Sequence, residues 1–98
     1  MKIFISQPMR GKTDEEILAE RSKAIETVKE KYNANVEVID SFFQNAPADA
    51  KPLWFLGKSL ELLSSADVAV FCEGWKDARG CRIEHDSCTE YNIDCIEL

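Results

Sequence analysis

Positive charge is scarce in this chain: 12 Lys and Arg stand against 18 Asp and Glu, for a formal net charge of −6. That balance excludes the electrostatic footprint of a general DNA or RNA binder, because polymer binding draws on many cations spread along a surface. It leaves room for a small anionic ligand where a few cations converge. Glycine and proline are also few, at four and three, so no flexible linker or low-complexity segment is expected. No apolar run approaches the roughly 18 residues needed to cross a bilayer. The opening Met1 to Ser6 is too short an apolar stretch for a secretory signal and leads directly into charged sequence. The expectation is a cytoplasmic protein with no membrane partner. Histidine occurs once, and the four cysteines (Cys72, Cys81, Cys88, Cys95) contain no Cys-x-x-Cys pair, so no metal site is expected. Cys81 and Cys88 would stand two helical turns apart, about 10 Å, which is too far for a disulfide. All four read as reduced thiols serving as small hydrophobes.

What is present is an ordinary globular composition, 45% hydrophobic and 31% charged over 98 residues. That length makes one domain spanning residues 1–98, burying about two-thirds of its unfolded surface. Strand and helix patterns alternate along it. Lys2 to Ser6 is a short β-rich run closed by Gln7 and Pro8. Thr13 followed by Asp14, Glu15 and Glu16 has the form of a capping box, with acids at the positive end of a helix. Ile17, Leu18, Ile25, Val28 and Tyr32 continue at helical spacing, and Asn33 to Asn35 end the run. Val36 to Ile39 reads as a second strand and Ser41 to Lys51, with Asn45, Pro47 and Asp49, as a loop. Leu53, Trp54, Leu56, Leu60 and Leu63 mark a second helix, with Trp54 expected in the core. Asp67 to Phe71 is a strand apolar enough to be covered on both faces, with Asp67 expected to hydrogen-bond nearby backbone. Gly74 to Asp77 is a turn, Ala78 to Tyr91 a third helix, and Ile93 to Ile96 a fourth strand. Short connections between alternating strands and helices imply right-handed crossovers and a parallel sheet, hence an α/β fold.

Ligands of open parallel sheets bind beyond the carboxyl ends of the strands. That selects Ser6 to Lys12, Asp40 to Phe43, Cys72 to Arg79 and the stretch after Ile96. The first of these, Ser6, Gln7, Pro8, Met9, Arg10, Gly11 and Lys12, offers backbone amides, a hydroxyl and two cations, a set suited to phosphate or carboxylate. It has neither the Walker nor the dinucleotide glycine spacing, and an ordinary turn with solvated charges is the competing reading. In the third helix Cys81, Glu84, Cys88 and Tyr91 recur at i, i+3, i+7 and i+10, which puts Glu84 on the stripe facing the sheet. A carboxylate there is costly unless held. The nearby helix start, with Arg79 and Arg82, is expected to favour its ionised form. Such a group serves as a nucleophile or a hydrogen-bond acceptor, or it simply pairs with an arginine. Trp75, in a turn at the ligand edge, suits stacking on a base or covering the core. His85 is expected at the surface or in a hydrogen bond, with general acid/base work the alternative.

Three segments in order carry a resemblance: Ile3-Phe4-Ile5-Ser6-Gln7-Pro8-Met9-Arg10-Gly11, Ala66-Asp67-Val68-Ala69-Val70-Phe71, and Gly74-Trp75-Lys76-Asp77-Ala78-Arg79-Gly80-Cys81-Arg82-Ile83-Glu84. Together they resemble the nucleoside 2-deoxyribosyltransferase superfamily, in particular its short branch of bacteria and phages. The resemblance implies a flavodoxin-like (Rossmann-like) sheet of four parallel strands in the order 2-1-3-4 with three main helices. It implies a nucleoside or nucleoside 5′-monophosphate as ligand and no cofactor. Glu84, after Gly80, matches the glutamate that attacks the anomeric carbon. Arg10 and Gly11, with Ser6, match the loop that binds a 5′-phosphate in relatives acting on monophosphates, and Gln7, Pro8, Met9, Trp75 and Arg79 fall within the same matched segments. Ile3 stands where related enzymes carry a tyrosine and Ser59 where they carry an aspartate that protonates the leaving base. The resemblance then leaves Asp77, or His85, to assist base departure. The expected activity is N-glycosidic cleavage or 2-deoxyribosyl transfer by a homo-oligomer. A non-catalytic nucleotide-binding module with the same cleft is the competing expectation, and an oligomeric interaction protein a third.

Overall fold

The computed structural model describes residues 1–43 and 46–98; the loop assignment at Asn45 therefore lies outside the described residues. Four parallel strands, β1 (Lys2–Ser6), β2 (Glu37–Val38), β3 (Val68–Phe71) and β4 (Asp94–Glu97), form one sheet in the order β2-β1-β3-β4. Three helices connect them: α1 (Asp14–Tyr32), α2 (Pro52–Leu63) and α3 (Arg79–Glu90), the last preceded by a short 3-10 turn at Trp75–Asp77. The expected α/β class, strand order and helix count are all present.

The period-2 alternation of β1 divides the core. Ile3 and Ile5 point to one face, where they pack with Val68, Val70, Ala24 and Val28 beneath α1. Phe4 points to the other, against Ala69, Phe71, Leu63 and Cys88 beneath α2 and α3. Every residue of β3 is buried, as a central strand covered on both faces requires. Because β2 lies on one side of β1 and β3 on the other, right-handed crossovers send α1 to one face and the later helices to the opposite one. The chain beyond β1 and the chain beyond β3 therefore diverge, and a crevice opens at the carboxyl ends of the strands.

Local signals explain where the elements start and stop. Thr13 caps α1, its hydroxyl accepting from the Glu16 amide at 3.2 Å, and Glu16 reaches back to the Thr13 amide to complete the box. Asn33 ends the helix in the left-handed region at φ 47°, a conformation asparagine tolerates better than most residues. Asp67 accepts a 2.6 Å hydrogen bond from the Lys2 amide, so it ties the starts of β1 and β3 together across 65 residues rather than capping its own neighbourhood.

Several expectations are corrected. Leu18 is exposed, because α1 buries only Ile17, Arg21, Ala24 and Val28. Trp54 is half-buried rather than core, packed edge-on against Phe43 and Phe55 at 5.9 and 5.1 Å. Tyr91 is 79% exposed, because α3 stops at Glu90 and Tyr91 leaves helical geometry. The second strand shrinks to two residues, Glu37 and Val38, paired with Lys2 and Ile3, and the chain leaves β1 after the Ile39 amide donates to the Ile3 carbonyl at 2.9 Å.

Candidate functional site

At the carboxyl end of β1, alternate side chains reach opposite faces of the sheet. Ser6 turns toward α3, where its hydroxyl donates to Glu84 Oε1 at 2.6 Å. Gln7 turns toward α1, where its amide nitrogen donates to the Ile17 carbonyl at 3.1 Å and its Oε1 accepts from Arg21. Both residues are buried. They line a cleft of about 810 Å³, within the size range of small-molecule sites. Ser41 to Phe43 beyond β2 form one wall, α2 residues from Lys51 to Ser59 another, and the start of α3 from Ala78 to Glu84 a third.

Glu84 stands on the inward stripe of α3 with Cys81 and Cys88, as its spacing requires. It is 7% exposed. Burial raises its carboxyl pKa above the ordinary 4.5, while the hydrogen bond from Ser6, and then the nearby Ser59 hydroxyl, pull it back. The expected cationic support is missing. Arg79 and Arg82 are exposed, and Arg82 donates to the Lys76 carbonyl at 2.9 Å instead of to the carboxylate. Because α3 begins at Arg79, Glu84 lies in its second turn, where the field of the helix terminus has faded. Desolvation therefore outweighs these hydrogen bonds, and the net shift is upward.

The other sequence candidates divide into two sets. Ser6, Gln7, Pro8, Met9, Arg79, Gly80 and Glu84 all line the cleft, as does Ser59. Arg10 and Gly11 do not; both are exposed, and Gly11 turns the loop in the left-handed region at φ 77°. Lys12 is engaged elsewhere, in a 2.9 Å ion pair with Glu20. Asp77 is exposed in the 3-10 turn and outside the cleft lining. Trp75 and His85 are also outside that lining. They stack on one another at 4.2 Å with rings 12° from parallel, against Phe71, and His85 Nε2 lies 3.5 Å from Glu97. This cluster covers the edge of the core, the second of the two roles the sequence allowed Trp75. Ile3 lies in the core under α1.

The four cysteines are free thiols, three of them buried. Burial raises Cys72 to about 11 and Cys88 to about 12, which removes them from nucleophilic chemistry near neutrality.

No family model, curated protein or solved structure matches this chain.

Arg21 joins the site from outside the residues that the sequence marks as candidates. It is buried in α1, and its guanidinium donates to Gln7 Oε1, Ser41 Oγ and the Ile39 carbonyl at 3.2, 3.3 and 3.4 Å. Ser41 in turn donates to the Ile5 carbonyl at 3.2 Å. The signal was there to find: Ile17, Arg21, Ala24 and Val28 recur at i, i+4, i+7 and i+11, so Arg21 sits on the buried stripe of α1 by the same logic that places Glu84 on that of α3.

Proposed function

We propose that this chain cleaves or transfers the N-glycosidic bond of a nucleoside or nucleotide, with Glu84 as the nucleophile. The observation that carries the reading is a single buried carboxyl at the carboxyl edge of the sheet, lining the cleft and holding a 2.6 Å hydrogen bond from Ser6. The resemblance to the nucleoside 2-deoxyribosyltransferase superfamily supplies the ligand class. In the proposed step, the ionised carboxylate attacks the anomeric carbon and forms a glycosyl ester. The carbon–nitrogen bond breaks, and its electron pair leaves on the base nitrogen, which takes up a proton from solvent; the attacking group of the second step returns one. Water, or a second base, then attacks the same carbon from the opposite face and frees the carboxylate, with net retention. Ser6 contributes by stabilising the ionised form and by fixing Oε1. Poor solvation of the carboxylate raises its reactivity once it is ionised.

A specific observation favours a second reading, a nucleotide-binding module without turnover. Asp77 and His85, the residues left to protonate a departing base, both lie outside the cleft lining, and Ser59, at the position where the superfamily that the chain resembles carries an acid, lines the wall. The test is incubation with deoxy- and ribonucleosides and their 5′-monophosphates, with and without an acceptor base, followed by chromatography for free base. Release by wild type that vanishes in Glu84→Gln supports the nucleophile, and exchange with the acceptor makes it a transferase. No release, combined with thermal stabilisation by one of the ligands, selects the binding module.

A further inference from the structure

Exposed apolar surface gathers at one place on this molecule. Among the described residues seven large hydrophobic side chains are exposed, and three of them, Leu53, Phe55 and Ile83, line the cleft. Helix α2 opens with Pro52, Leu53, Trp54, Phe55 and Leu56, yet it buries only Leu63. Leu53 is 76% exposed. Behind this wall the rings of Phe43, Trp54 and Phe55 stand 5.1 to 6.3 Å apart, so the apolar surface is backed and shaped by the fold. The cleft, at about 810 Å³, falls in the upper part of the roughly 300–1,000 Å³ range of small-molecule sites. It has room for a body larger than an unmodified nucleoside.

This surface begins one helical turn from Glu84. Ser59, whose hydroxyl lies near that carboxyl, shares a face of α2 with Phe55 and Leu56, four and three residues before it. Leu53 lies six residues before Ser59, about 9 Å further along the helix axis. The strand side of the cleft, with Ser6, Gln7 and Ser41, is its polar flank and suits a sugar. On the α2 side Pro52, Leu53, Phe55 and Leu56 offer no polar side-chain atom to the edge of a base. Covering such a wall is favourable in proportion to the apolar area taken from water. We propose that the cleft takes a nucleoside whose base carries an apolar substituent, an alkyl or aryl group on an exocyclic nitrogen. The base then lies over Phe55 and Leu56, and the substituent reaches Leu53 and Phe43 at the mouth. The inference rests on the nucleoside reading of the cleft, and it holds whether or not Glu84 turns the ligand over.

The test compares 2′-deoxyadenosine with N6-benzyl-2′-deoxyadenosine by calorimetry, on Glu84→Gln protein so that the ligand stays intact, and follows base release from both by wild type. The benzyl nucleoside should bind about tenfold tighter or more, as burial of one aromatic ring against an apolar wall implies. Adding Leu53→Ser should erase most of that gain and leave 2′-deoxyadenosine within about twofold, while Leu53→Met should keep it. Leu53 is mostly exposed, so these changes spare the core. Leu18→Ser, at an exposed apolar residue of α1 away from the cleft, should alter neither affinity. Equal affinities, no binding of either nucleoside, or a benzyl gain that survives Leu53→Ser would each overturn the proposal. So would a dimer in sedimentation that Leu53→Ser dissociates and neither nucleoside disturbs, because a second copy would then cover this wall. A benzyl preference without base release from either nucleoside would refute the glycosidic step and leave this inference standing. Base release by wild type at equal affinities would do the reverse.

Discussion

The substitution Glu84→Gln separates the electrostatics of the site from its chemistry. Glu84 is 7% exposed and keeps its Ser6 hydrogen bond at 2.6 Å. Burial sets its folded pKa above the ordinary 4.5. Below that value the carboxyl is protonated in both folded and unfolded chains, and its titration costs nothing. As the pH rises past 4.5 the unfolded chain releases the proton while the folded protein retains it. The native state then binds more protons, so stability falls with rising pH until the folded group ionises too. Each pH unit of that window costs about 1.4 kcal/mol at most. Glutamine keeps the shape and an oxygen to accept from Ser6, but it does not titrate. The variant should therefore match or slightly trail wild type near pH 4 and overtake it by pH 7. In a domain of this size each kcal/mol gained corresponds to about 4–8 °C in Tm. Urea and thermal unfolding of both proteins from pH 4 to 8 measure the difference directly. A difference that stays flat with pH would refute the argument. So would a wild type that gains on the variant as pH rises, because that sign belongs to a carboxylate stabilised as the anion.

Ser6→Ala removes the hydrogen bond that pulls the Glu84 pKa down, so the acid limb of any base-release pH profile should move to higher pH; an unmoved limb would detach Ser6 from the proposed nucleophile. Native protein at pH 8 should react only slowly with iodoacetamide at Cys72 and Cys88, whose thiols are held at about 11 and 12, and rapidly at all four cysteines in urea, as site-resolved mass spectrometry would read. Thr13→Ala deletes the capping box of α1 and should cost about 0.5–2 kcal/mol in urea unfolding.

Strand and helix alternation, the capping box and the apolar central strand all follow from local pattern, because periodicity and cap chemistry act over a few residues. The three-residue and four-residue spacings of α3 place Glu84 inward with Cys81 and Cys88, and the carboxyl-end rule points to the cleft that Ser6 and Gln7 line. Spacing cannot say how long a helix runs or where a surface side chain finds its partner. Tyr91 continues the α3 stripe on paper but lies past the last helical turn. Arg82 sits near Glu84 in sequence yet reaches the Lys76 carbonyl instead.

The sequence by itself determined an α/β domain, a buried carboxyl on its third helix and the turn that leads from β1 into α1. Only the tertiary structure decided the character of the site. It sent Arg10 and Asp77 outside the cleft, stacked Trp75 on His85, and enclosed Glu84 without a cation, so that desolvation sets its charge. It also brought Gln7, Ile39 and Ser41 around Arg21, three contacts 14 to 20 residues away along the chain. The reason is range. Backbone propensity and capping are local, whereas the free energy of a buried charge depends on which distant dipoles surround it and how much water they displace.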